Sequence, residues 1–154
     1  MWLSRILLLF ILAFKFVSCN DNGVTGVTLM PEIKETDSVE VIFFKEPGNQ
    51  RFYTYLPTRD KNFIENLVKD LDREPEMEKD ENTCVKEGKI YMHKQGNIFN
   101  TVFFSYDYNS CLFLRFIKNG KLYYFPISES LREKLKQYKP LAKEPVASDK
   151  APDP

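Results

Sequence analysis

The chain has 154 residues, with 22 basic and 22 acidic side chains, one histidine and three cysteines, and 14% of it is aromatic. That length suits one domain around one core, and the charge balance excludes the broad basic field that nucleic acid or an anionic lipid surface selects. One histidine and three cysteines make no local zinc-ligand set, and no Gly-rich phosphate loop or dinucleotide fingerprint occurs, so neither a metal nor a cofactor is expected.

The first element is a leader. Arg5 gives it a positive start, Ile6–Phe14 is an unbroken apolar run, and Lys15 interrupts that run well short of the ~20 apolar residues a membrane-spanning helix needs. Residues 1–18 are therefore expected to be a secretory signal. Arg5 and Lys15 leave with it, so the remainder carries about two net negative charges.

Phe16-Val17-Ser18-Cys19, followed by polar Asn20 and Asp21, resembles the lipobox of bacterial lipoproteins, in which the signal is removed and the cysteine becomes the lipid-bearing first residue. Phe16 stands where that pattern usually has Leu, and Ser18 is its small residue. The resemblance is confined to this segment. It implies palmitate-type acylation of Cys19, a membrane partner through that lipid, and a place in the cell envelope at the outer membrane or the periplasmic face. Each buried CH2 contributes about 0.8 kcal/mol, so several chains anchor stably. Ordinary cleavage after Cys19, leaving a freely secreted chain without lipid, is the alternative that these residues leave open.

Residues 19–37 read as a lipidated start and a spacer, with Val24–Leu29 able to add an early edge strand. Ser38–Phe44 and Arg51–Leu56 are β-rich runs, and Glu46-Pro47-Gly48-Asn49 between them suits a type II turn, predicting a hairpin. Thr58 or Asp60 caps a predicted helix over Lys61–Arg73, where Phe63, Leu67 and Leu71 recur every four residues. The acidic stretch from Glu74 to Asn82, broken by Pro75, reads as an exposed connection.

Period two then takes over. Lys89–His93, Ile98–Tyr106, Leu112–Ile117 and Leu122–Ile127 predict four strands in an antiparallel meander, joined through Lys94-Gln95-Gly96-Asn97, Asp107–Ser110 and Lys118-Asn119-Gly120, of which Asn-Gly is the strongest hairpin signal. Both faces of the last two strands are apolar, so one face should lie under a helix while the other packs on the hairpin or stays open. Ser130-Leu131-Arg132-Glu133 matches a capping box for a last helix that Pro140 ends. Residues 141–154 are rich in Pro, Ala, Lys and Asp and are expected to be a disordered tail. The expected fold is α+β: an N-terminal β-hairpin, a helix, a four-stranded antiparallel meander and a C-terminal helix, with the globular part over residues 38–140.

Cys84 and Cys111 are the disulfide candidates, and a bond between them would contribute about 3 kcal/mol in the chain-entropy model. In a plain meander they would start strands two apart, ~10 Å from each other and beyond reach, unless the chain before Val85 folds across the intervening edge. His93 has no second histidine and reads as a strand-end residue. The acidic run Asp70, Asp72, Glu74, Glu76, Glu78, Asp80 and Glu81 lacks the glycine and ligand order of an EF-hand and reads as a solvated surface. Tyr106, Tyr108, Phe113, Arg115, Tyr123 and Tyr124 form the candidate contact surface, because Tyr and Arg are enriched at hot spots; the competing reading is an aromatic core. Glu40, Asp60 and Glu129 are the carboxylates an enzyme would draw on, but no catalytic set surrounds them. The expectation is a non-enzymatic envelope lipoprotein that binds a protein or surface ligand, with a periplasmic inhibitor or immunity-type protein as the sharper alternative.

Overall fold

The computed structural model describes residues 23–80, 84–108 and 111–145. One antiparallel sheet organises them, with strands β1 (Ser38–Glu46), β2 (Asn49–Thr58), β3 (Gly88–Lys94), β4 (Asn97–Ser105), β5 (Phe113–Lys118) and β6 (Lys121–Phe125) in the order β2-β1-β3-β4-β5-β6. This corrects the expected architecture, which set a separate hairpin beside a four-stranded meander. β1 pairs with β3 from Ser38 opposite His93 to Phe43 opposite Gly88, so all six strands form one sheet. The reason is the unsatisfied backbone along the second edge of β1, which burial requires to be paired; β3 supplies the partners and aligns Val41 with Ile90.

Tight turns fix the register on both sides. Gly48 follows Pro47 with φ 81°, and Gln95-Gly96 and Asn119-Gly120 take φ 51° and 78°, and 52° and 74°, in the two later hairpins. Two successive positive φ values match the right-handed strand twist, which is why a glycine stands second in each.

Val39, Val41 and Phe43 share the first face of the sheet with Ile90, Met92, Val102, Phe104, Leu114, Phe116 and Phe125. Among the described residues three helices pack on it: α1 (Gly26–Leu29), α2 (Lys61–Leu71) and α3 (Glu129–Tyr138). Their apolar stripes enter the same core through Val27, then Phe63, Ile64, Leu67 and Leu71, then Leu131, Leu135 and Tyr138.

The start of the domain differs from the expected spacer and edge strand. Thr25 and Thr28 form a reciprocal cap that opens α1, a 3-10 turn follows over Pro31–Glu35, and Val27, Met30 and Ile33 are buried in the core. The last helix also opens earlier than its expected capping box at Ser130. Ser128 is the N-cap and accepts from the Leu131 N–H, while the buried Asp70 carboxylate of α2 accepts the Ser128 N–H at 2.7 Å. Of the expected tail, Lys143 exchanges two backbone hydrogen bonds with Tyr55 on the outer edge of β2. Residues 146–154, like the whole leader and Cys19, lie outside the described residues.

Asp60 ties α2 to α3. Its carboxylate caps the N–H groups of Asn62 and Phe63, and accepts from the Tyr138 hydroxyl at 2.7 Å and Lys134 Nζ at 3.2 Å. The Tyr138 bond first, then Lys134, holds the Asp60 carboxyl below its ordinary value against the opposing effect of burial. Asp60→Ala is expected to lower stability by about 1–2 kcal/mol, read as a lower urea midpoint. Because the folded pKa is depressed, this contribution is present above the unfolded carboxyl value and is lost as pH falls through the folded one. A pH series should show that acid-side loss in the parent and a weaker one in Asp60→Ala.

Candidate functional site

Among the described residues, no helix packs on the second face of the sheet. Its residues are set by alternation: Tyr53 and Tyr55 on β2, Ile42 and Phe44 on β1, Lys89 and Tyr91 on β3, Thr101 and Phe103 on β4, Phe113, Arg115 and Ile117 on β5, and Leu122 and Tyr124 on β6. The connection between α2 and β3 touches this region of the sheet at three points: the edge of β6, the head of β5 and the Phe103 ring. After leaving the first face, that connection donates the Glu76 N–H to the Tyr124 carbonyl on the outer edge of β6, then reaches the head of β5 through a Cys84–Cys111 disulfide with Cα atoms 5.3 Å apart. The bond brings the chain before β3 to the head of β5, which resolves the distance problem that a plain meander posed.

Phe113, Tyr124 and Arg115 on this face are buried. Arg115 Nη1 donates to the Tyr124 hydroxyl at 2.8 Å, and its guanidinium lies 5.6 Å from the ring centres of both Phe103 and Tyr124. Lys86 Nζ approaches the Phe103 ring at 5.2 Å, and Lys89 Nζ the Tyr91 ring at 4.9 Å. Cations over ring faces are favourable and keep the rings oriented.

Away from these contacts the face is open. Tyr53, Tyr55, Tyr91 and Phe103 are half-buried, held by lateral neighbours, while Ile98 and Ile117 are 53% and 56% exposed. β4 and β5 also part here. Their ladder stops at Phe103 opposite Arg115; the next pair in step, Thr101 and Ile117, is not joined, and the Thr101 N–H is taken instead by Oδ1 of Asn100 at 2.8 Å. A cleft of about 310 Å³ opens between the strands, walled by Ile98, Phe103 and Ile117.

At the other end of β4 the turn toward β5 is clamped. The buried Glu87 carboxylate accepts the N–H groups of Tyr106, Asp107 and Tyr108 at 2.6, 2.8 and 3.0 Å, and the Ser105 hydroxyl at 3.1 Å, all on Oε2. Tyr108, 38% exposed, projects from this clamped turn. Residues 109 and 110 lie outside the described residues.

The six residues of the expected contact surface are therefore not brought together. Tyr106 is buried in the first-face core against Phe104, and its hydroxyl is pushed up to about 12, by burial first and then by the Glu87 and Asp107 carboxylates. Tyr123 also lies on the first face, packed against the core beside Phe116. Phe113, Arg115 and Tyr124 lie buried on the second face, and Tyr108 alone is exposed. Lys89, Tyr91, Phe103, Ile98 and Ile117 instead form the open part, and the sequence reading passed over them. The alternation of Lys89 and Tyr91 with Ile90 and Met92 was the signal that separated these faces.

The carboxylates are committed elsewhere. Asp60 caps α2, Glu129 pairs with Arg132 at 2.5 Å, and Glu40 sits half-buried on β1. The acidic run is divided among separate tasks: Asp70 pairs with Arg73, Asp72 accepts from the Thr25 hydroxyl, and Glu76 pairs with Lys79. Among the described residues no group of His, Cys, Asp and Glu is placed to hold a metal ion, His93 included, and no helix is long and apolar enough to cross a membrane. Comparison of the chain with protein families, with curated proteins and with solved structures found no match.

Proposed function

We propose that this chain is a non-enzymatic envelope lipoprotein, tethered through acylated Cys19, that binds a protein partner on the open part of its second sheet face. The observation that carries the binding reading is that face itself: an aromatic surface that no helix covers among the described residues, with Ile98 and Ile117 exposed beside a cleft. An exposed apolar patch beside oriented aromatic rings is the usual anchor for protein contacts. The leader and the Phe16–Cys19 segment support the tether and the envelope location.

Tyr91→Ala combined with Ile117→Ala is expected to weaken capture of the partner from native envelopes at least tenfold, with the circular dichroism spectrum unchanged. Capture is read by photo-crosslinking in intact cells, and full capture by the double variant sinks the sheet-face reading. The clamped β4–β5 turn favours a second reading, an inhibitor or immunity-type protein that inserts Tyr108 into its target. Under that reading Tyr108→Ala abolishes capture while the sheet-face variant retains it.

A further inference from the structure

A groove of about 880 Å³ runs between α2 and the 3-10 turn before β1. That volume lies in the range of small-molecule sites, and its wall is mostly apolar. Ile64 and Val68 line it together with Lys34, Lys61, Lys69 and Arg73, whose aliphatic stems cover apolar surface while the charged ends reach water, and with the polar Thr36, Asp37, Glu65 and Asp72. A mostly apolar wall with charged groups of both signs among its lining residues suits a hydrocarbon chain that ends in a polar attachment.

The entry point of the polypeptide supplies the occupant. Gly23, the first described residue, lies against the Glu74 side chain. Two residues later the Thr25 hydroxyl donates to Asp72 at 2.9 Å, and Asp72 itself lines the groove. Gly23 thus stands at the Asp72–Arg73 end of the groove. Cys19 precedes it by four residues, which at full extension span at most ~14 Å. From Lys61 to Asp72 the groove follows α2 for ~16 Å, a distance comparable with an extended long acyl chain.

Resting on the lipoprotein reading above, we propose that this groove receives an acyl chain carried by Cys19 when the domain is away from a bilayer. Outside a membrane each exposed methylene is unfavourable in water, and a preformed apolar groove beside the attachment point shelters the chain without a separate carrier. The bilayer, which accommodates every chain at once, withdraws it again.

The test uses the mature acylated protein from a host fed bromine-labelled fatty acid, with detergent removed. Trp2 is the only tryptophan of the chain and lies in the leader, so Val68→Trp places a single indole in the groove lining, Lys69→Trp repeats the measurement at the exposed rim, and Phe103→Trp places one on the far face of the sheet. Bromine-labelled chains are expected to quench emission at least twofold for Val68→Trp and Lys69→Trp, and to leave Phe103→Trp unchanged. Equal emission at all three positions, or quenching at all three, overturns the inference. Quenching produced only by added free bromostearate assigns the groove to a free fatty acid and also overturns it. Intact mass separates the two readings: a bromoacylated Cys19 without quenching overturns the groove alone, whereas an unacylated chain overturns the lipoprotein reading and this inference together.

Discussion

Glu87→Ala is expected to destabilise the domain by about 3–4 kcal/mol, read as a fall in urea midpoint at unchanged slope. One carboxylate oxygen accepts the Ser105 hydroxyl and three successive N–H groups, from Tyr106 to Tyr108. Truncation leaves the Ser105 and Tyr106 donors buried without an acceptor, at about 1–3 kcal/mol each. Asp107 and Tyr108 are exposed, so water replaces most of what they lose. Glu87→Gln keeps an acceptor but not the charge that roughly doubles such bonds, and should recover about half of the loss. Hydrogen exchange at the Tyr106 and Tyr108 amides should accelerate in both variants. A midpoint for Glu87→Ala within about 1 kcal/mol of the parent would mean that the disulfide alone holds this turn.

The elements of this fold were more legible than their assembly. Phe63, Leu67 and Leu71 mark α2 by spacing, and Gln95-Gly96 and Asn119-Gly120 mark hairpin turns by their need for positive φ. Those signals are local. That β1 pairs with β3 is not, because the partner lies beyond a helix and an acidic connection, and sequence alternation gives the faces of a strand without naming its neighbour. The same limit hid Gly88, where an added Cβ would strike the Ile42 carbonyl and the Phe104 ring. It reads as a turn residue until β1 and β4 are known to flank it.

The aromatic cluster shows how alternation can mislead even when its residues are well chosen. Tyr123 and Tyr124 are adjacent in sequence and therefore on opposite faces. Tyr106 follows Phe104 by two and goes with it into the core. What touches the second face then depends on where residues 74–87 travel, which no periodicity encodes. Glu87 was invisible for a related reason: a lone carboxylate between Lys86 and Gly88 looks like ordinary surface charge until the β4–β5 turn is seen folding over it. The cysteine pair was the one long-range constraint written into the chain.

That pair carries the other large expected effect. Cys84→Ser with Cys111→Ser should lower stability by about 3 kcal/mol through the loop entropy returned to the unfolded chain. A further loss should follow from the folded state, because the bond pins the connection at the head of β5, beside the buried Phe113. Asp60 and the α2–α3 contacts lie on the first face and should keep their cooperativity. Hydrogen exchange is therefore expected to quicken first at the Glu76 amide bound to Tyr124, and fluorescence of a hydrophobic dye should rise as the second face opens. If oxidised parent and double variant share a urea midpoint, Glu87 and the Glu76–Tyr124 bond suffice to seat the connection. If the variant is weakened and captures its partner less well, without any change at Tyr91 or Ile117, then the connection sets the shape of the open face as well as its extent, and the domain needs an oxidising compartment to bind.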